Sequence, residues 1–491
     1  MGAIIRRMGR LLNSKVFQQP AIGPGRMQPR NSRPVATALH GQGMSSAKTV
    51  PGPVENIEGD SLRKLAFRAG VAMLFLRVAV LPELLAAVLH INTYILYLVG
   101  PPAIVGVVLT GGLGRTFRHR AAWMWLCFFC WMILSAPFSS WIGDSVNGIK
   151  GYAEFSFPLL FTVAGLTLTF REVRTTFYAI GAGGLIVISA ARLFAKNDNG
   201  RMEMGSATGT IGNSNDLASH LLMVLPFLLF IAMDRRRSAP IRYSMILPAA
   251  YALWVIFGTA SRGALIGLGV SFLFVLFRAS ARQRVVALVI AAILAVSVPV
   301  FLGGNALVRL GSLFGGKHEE AEESEKARSY LLRESLMFTI QHPVFGIGLN
   351  QFANYEGKLA IAAGKVGNWH ETHNSFTQVS SECGVPALLF FVLGIGSALA
   401  SVNRTYRRAR REGYTEIADA SFCYLLSMTG FLVSITFLSN AFRFYLPAMI
   451  GLAIALSTAA EREMSLNGLN EPVKTPGWTP PIPARTRLAR T

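Results

Sequence analysis

Long apolar runs separated by short polar breaks fill most of the chain. The runs lie at 69–89, 91–111, 121–139, 152–170, 175–194, 215–233, 243–258, 263–277, 285–303, 384–402, 419–439 and 443–460. Most come close to the ~20 residues that carry an α-helix across a bilayer. In lipid the backbone must satisfy its own polar groups, and a helix does so within one segment. The pattern therefore predicts an all-α polytopic membrane protein with about 12 transmembrane helices. The first two runs are the weakest, because Arg77 interrupts one and Pro101-Pro102 the other.

The polar breaks add a topology. With the N-terminus inside, the inner loops are Gly112–Arg120, Arg171–Arg174, Asp234–Arg242, Arg278–Arg284 and Asn403–Glu412, and all are rich in Arg. The short outer loops and their edges carry only Lys150, Lys196, Arg201, Arg262 and Arg443. Basic residues collect in cytoplasmic loops, so the alternation predicts N-in and C-in. Residues 1–62 read as a disordered basic cytoplasmic tail, 63–303 as helices one to nine, 304–383 as a periplasmic loop, 384–460 as helices ten to twelve, and 461–491 as a second disordered tail.

The periplasmic loop is far longer than two spans require, and such loops tend to carry function. An acidic run, Glu319 to Glu325, leads into Ala327–Ile340, where the apolar positions predict a helix. His342-Pro343 stops it. A Gly-rich turn follows at Val344–Asn350, and a second helix is expected to start near His373 and enter the tenth span. A shorter outer loop, Lys196–Ser214, ends in Gly209-Thr-Ile-Gly-Asn-Ser-Asn-Asp216, with Asn215 or Asp216 as the expected N-cap of the sixth span.

Composition agrees with the pattern: 491 residues, 52% hydrophobic, 15% charged, mean hydropathy +0.42. The net charge of +21 is spread over loops and tails. That distribution fits positive-inside bias and contact with anionic membrane lipids, and argues against nucleic acid as a partner. Cys127 and Cys130 sit inside an apolar run and read as small hydrophobes, not as a redox pair. His370-Glu-Thr-His373 is not the His-Glu-x-x-His zinc motif, because the second His comes one residue early, so no metal site is expected.

Four polar motifs border the apolar runs in order. They are G-T-x-G-N-x-N-D-L-A from Gly209, S-R-G-A from Ser261, R-x14-P-x-x-G-x-G-x-x-x-F from Arg328, and H-N-x7-E-x-G from His373. In this order and topology, across about 70–460, the chain resembles the O-antigen ligase and O-antigen polymerase superfamily. These are bacterial inner-membrane glycosyltransferases of GT-C-like type. The resemblance implies a glycan donor linked to undecaprenyl pyrophosphate and a sugar hydroxyl acceptor on the periplasmic face. It also implies transfer without metal or cofactor, usually with inversion. Ligases take lipid A-core as acceptor, polymerases another carrier-linked unit, and some relatives make exopolysaccharide.

Placed on this sequence, the resemblance makes Arg262 a pyrophosphate ligand and His373 the base that activates the acceptor. A guanidinium can hold a pyrophosphate in two places and offset the charge that grows on it as it leaves. Imidazole is a suitable base near neutral pH. The plainer readings are an Arg snorkelling to headgroups and a hydrogen-bonded loop His. Arg328 matches the arginine ahead of the Pro-Gly turn; it contacts diphosphate or sugar, or pairs with Glu325 or Glu323. Glu382 orients an arginine or holds the loop. Asn213 and Asn215 cap a helix or bind sugar. The chain departs from the pattern near Ser206, where relatives carry an arginine; Arg201 fills that place if the loop folds back, with Arg192 as the other candidate. A lipid or polysaccharide transporter is the rival class, but it calls for internal symmetry that the sequence lacks.

Overall fold

The computed structural model describes residues 61–198, 201–205, 208–301, 319–364, 366–367 and 369–470. The expected tails fall largely outside them, as do His318 and Ser206. The elements run α1 Ser61–Val78, α2 Leu81–Leu89, α3 Ile95–Leu109, α4 Gly112–Thr116, α5 Arg120–Ser135, α6 Ile142–Phe155, α7 Phe157–Leu166 and α8 Phe170–Phe194. A small antiparallel hairpin follows, β1 Lys196–Asp198 and β2 Arg201–Glu203. Then come α9 Ser214–Met233, α10 Ala239–Ser244, α11 Ile246–Gly258, α12 Arg262–Arg278, α13 Ala281–Phe301, α14 Glu319–Gln341, α15 Phe352–Ala362, α16 Ser375–Glu412, α17 Thr415–Ser434 and α18 Tyr445–Asn470.

The protein is an all-α polytopic membrane protein. Among the described residues, six helical segments are long and apolar enough to cross a membrane, or seven if the bent α1–α2 pair is one span. Several expected runs take other shapes. The run 69–89 breaks after Val78, and α1 and α2 meet at 57°. The run 91–111 contracts to the fifteen residues of α3, with Pro101 and Pro102 inside it. The run 152–170 is divided at Ser156 between α6 and the ten-residue α7. The last run extends to Asn470, ten residues beyond the expected boundary.

Helices α9 and α18 form the centre. Nearly every residue from Leu446 to Ala460 is buried, which suits a helix that is apolar on all sides. Around them pack Trp125, Phe128, Phe177, Phe391 and Phe431. Outside the bundle, α14 and α15 share a small core of their own made of Leu331, Phe338, Ile347 and Phe352.

Polar contacts sort the connections into two ends. At one end Arg63 pairs with Glu172 at 2.7 Å, Arg236 with Glu416 at 2.7 Å, and Arg278 donates to Asn403 at 2.8 Å. Glu172 also closes a capping box with Thr169 at the start of α8. At the other end Thr210 donates to Glu83, Arg443 donates to the Thr210 carbonyl at 2.7 Å, and Ser140 donates to Ile347 at 2.9 Å.

The loop-rich end carries α14. It begins at Glu319, earlier than the apolar pattern showed, and ends at Gln341, just before His342-Pro343. Its following turn lies backbone-to-backbone on the start of α16: Ile347 donates to Ser381 at 2.9 Å, Gly348 to Glu382 at 2.9 Å, and Val385 to Pro343 at 2.8 Å. This approach demands glycine. Gly346 has φ +70, and a Cβ there would lie 2.3 Å from the Glu382 carbonyl carbon. At Gly384, with φ +86 and ψ 172, α16 kinks.

Candidate anion-binding site at the loop-rich end

Arg262 opens α12. Ser261 caps this helix by accepting from Ala264, and Ala260 just before it is left-handed, with φ +47. The turn places Arg262 at the start of α12, where it pairs with Glu325 of α14 at 3.5 Å. Glu325 is 74% exposed, and an ion pair so wetted is worth little.

Arg328 lies three residues beyond Glu325, half-buried. Burial, then the charge of Arg262, holds its pKa below the ordinary arginine value. Its side chain makes no hydrogen bond or ion pair among the described residues. Arg328 does not pair with Glu325, whose carboxylate is taken by Arg262; the Glu323 side chain lies outside the described residues. Two guanidiniums sharing one edge repel each other, and an anion between them would relieve the repulsion.

His373 stands close to this pair. Its imidazole is pushed down to about 4, first by burial, then by the charge of Arg328 and by His370. Its backbone is left-handed, φ +51, and its N–H donates to Ser439 Oγ at 2.9 Å. Asn374 caps α16 by accepting from Phe376 and Thr377. A helix thus starts next to His373, as expected, and a strained residue is held there by a side chain from the α17–α18 connection.

Arg201 reaches the same edge because the β1–β2 hairpin folds back. Its Nη2 donates to Asn215 Oδ1 at 2.8 Å and its Nε to the Thr259 carbonyl at 3.2 Å, three residues before Arg262. Arg192 is exposed at the end of α8. The N-cap of α9 is Asn213, which accepts from Asp216 at 2.9 Å, and not Asn215 or Asp216. Asn215 is thereby left in the first turn to hold Arg201.

Glu382 is bound to the Gly-rich turn. Only 3% exposed, it accepts from the Asn350 amide at 2.8 Å and so ties the Gly-rich turn to α16. Of the two readings of this residue, the contacts are those of a carboxylate that holds the loop.

Sequence reading missed a third set of charges. Arg443 pairs with Asp216 at 3.5 Å and lies within electrostatic reach of Glu371 and Glu83. Glu371, two residues before His373, has its carboxyl held above the ordinary range by lost water, against the pull of Arg443. Arg77 stacks over Phe444, 4.8 Å from the ring centroid. The available signals were a lone arginine inside an otherwise apolar run, Arg77, and one at the first position of another, Arg443. Among the described residues no cluster of three or more His, Cys, Asp or Glu is placed to hold a metal.

Fold and site together define a polytopic membrane protein that gathers arginines and a histidine at one end of its bundle. Residues 247–392 match a protein-family model described as O-antigen ligase. That match covers less than a third of the chain, and over those residues the protein is similar to the O-antigen ligase family. The matched segment contains Arg262, Arg328, His373 and Glu382; Arg201, Asn215 and Arg443 lie outside it. No curated protein matches the chain.

Proposed function

We propose that this protein transfers a glycan from undecaprenyl pyrophosphate to a sugar hydroxyl, as an O-antigen ligase-like glycosyltransferase. The observation that carries the reading is Arg328, without an ion pair among the described residues, beside Arg262 and His373. Arg262 and Arg328 grip the pyrophosphate, and Arg201, held by Asn215, supports them from the hairpin. The acceptor oxygen attacks the anomeric carbon from the face opposite the leaving group. The bond to the pyrophosphate oxygen breaks, that oxygen keeps the electron pair, and His373 takes the acceptor proton. Configuration inverts, and no metal takes part.

The site supplies its own timing. When it is empty, Arg328 helps keep His373 neutral. A bound diphosphate offsets that positive charge and makes the imidazole a stronger base when a proton must be accepted. The loop-rich end is the periplasmic face of the bacterial inner membrane in this reading, with both termini in the cytoplasm and lipid A-core, or another glycan, as acceptor.

The test is the surface-glycan profile of a strain lacking the gene, complemented with wild type, Arg262→Ala or His373→Ala at equal membrane levels. Bare lipid A-core with long chains left on the carrier supports the ligase reading, and both variants should fail to restore product. Core carrying a single repeat unit makes the protein a polymerase. Lost secreted polymer with normal lipopolysaccharide makes it an exopolysaccharide enzyme. Full product from both variants removes the catalytic reading.

A further inference from the structure

The loop that carries His373 has a second strained residue. Trp369 is left-handed, φ +53, and four residues later His373 has φ +51. L-residues with side chains this large rarely occupy that region, and such strain tends to gather at ligand clamps. Each of the two is pinned through its backbone N–H by a side chain from another element. Ser439 holds His373 at 2.9 Å. Glu356 of α15 holds Trp369 at 3.2 Å, and Tyr330 of α14 donates to the other oxygen of that carboxylate at 3.2 Å. Glu356 is only 2% exposed, so the pin belongs to the core of the extramembrane unit.

The indole itself is not buried: Trp369 is 48% exposed. It packs against glycine backbone. A Cβ at Gly357 would lie 2.5 Å from the ring, and one at Gly367 would lie 2.9 Å from the indole nitrogen. The missing side chains let the backbone support the ring while much of it stays open. Tryptophan's large apolar surface ordinarily favours deeper burial.

We infer that Trp369 is a stacking platform for a pyranose ring of the glycan, placed beside the reacting centre by the Glu356 pin and the Gly357 seat. The negative face of the indole π-system attracts the polarised C–H bonds on one face of a sugar ring. The saccharide class rests on the transferase reading. The platform's existence rests on the geometry of Trp369 alone.

The test uses the full-length protein in lipid nanodiscs and, as probe, the oligosaccharide released by mild acid from the surface glycan of the bacterium that carries the gene. Saturation-transfer NMR gives its affinity. The chain has seven tryptophans, so the difference in emission between wild type and Trp369→Phe isolates this ring. The expected result is saturable binding to wild type, about tenfold weaker in Trp369→Ala, or about 1.4 kcal/mol, and partly kept in Trp369→Phe. Gly357→Ala, which pushes the indole from its seat, should weaken binding as Trp369→Ala does. Equal affinity of wild type, Trp369→Ala and Gly357→Ala overturns the platform, as does absence of binding to wild type. Transfer that persists in His373→Ala overturns the catalytic reading instead and leaves the platform to be judged by binding.

Discussion

Replacing Gly384 with alanine should break the joint between the Gly-rich turn and α16. The residue sits at φ +86 and ψ 172, a region that side chains rarely enter. Holding alanine there costs about 1–3 kcal/mol. Its Cβ would also fall 2.1 Å from the Val344 carbonyl oxygen, where a comfortable carbon–oxygen contact is about 3.3 Å. The turn would have to retreat by about 1 Å. Retreat strains the hydrogen bonds from Val385 to Pro343, Ile347 to Ser381 and Gly348 to Glu382, and the stacking of Phe345 on Phe138 at 4.0 Å between centroids. With two of those bonds lost at roughly 1 kcal/mol each, the total is about 3–5 kcal/mol. Against a typical folding stability of ~5–15 kcal/mol this is severe. Gly396, on the same helix, is the control: nothing lies within 4 Å of a Cβ built there, so alanine should be neutral or mildly stabilising. The assay heats detergent-solubilised protein and follows the fraction that stays dispersed by fluorescence-detected size exclusion. Gly384→Ala should be lost at a clearly lower temperature than wild type, and Gly396→Ala should not. If both variants match wild type, the backbone interlock is not what holds the turn.

Two further outcomes follow from the loop around His373. Ser439→Ala removes the acceptor of the His373 N–H and should lower transfer about tenfold, on the scale of one lost hydrogen bond, with membrane levels unchanged; an unchanged rate would separate the backbone pin from catalysis. The pH response has a definite sign. His373 titrates near 4 in the folded protein against 6.5 ordinarily, so its contribution to stability is full above pH 6.5 and fades as pH falls towards 4. His373→Gln should flatten that part of the stability profile measured by thermal unfolding. In kcat/KM of wild type, which reports the free enzyme, protonation of His373 should depress activity only as pH approaches 4; a fall centred near 6.5 would contradict the depressed value.

Much of this protein was legible as sequence because lipid permits few solutions. Apolar runs of this length form helices in lipid, so 121–139, 175–194, 215–233, 243–258 and 419–439 all coincide closely with helical segments long and apolar enough to span. Local chemistry was legible too. His342-Pro343 ended α14, and a helix began beside His373. The misread runs failed for local reasons that composition hides. Val80 adopts φ +49 and breaks the first run, and Ser156 interrupts a stretch whose apolarity never lapses. α15 went unnoticed because its apolar positions make no clear stripe and its burial depends on contacts with α14 and the turn.

What the sequence determined by itself, then, was the class of solvent, the order of helices and the residue types with chemistry to offer. Which charges meet was decided by the tertiary structure. Arg201 needed a hairpin to reach Asn215, and Arg443 needed the α17–α18 connection brought to the start of α9 to meet Asp216. Glu382 and His373 are joined by one motif in the chain, yet they serve different neighbours, a backbone turn in one case and an arginine edge in the other. Hydrophobic period is read along a line, because each residue carries its own transfer energy. Electrostatics depends on distances through space and on the water excluded between charges, and both exist only once the helices have packed.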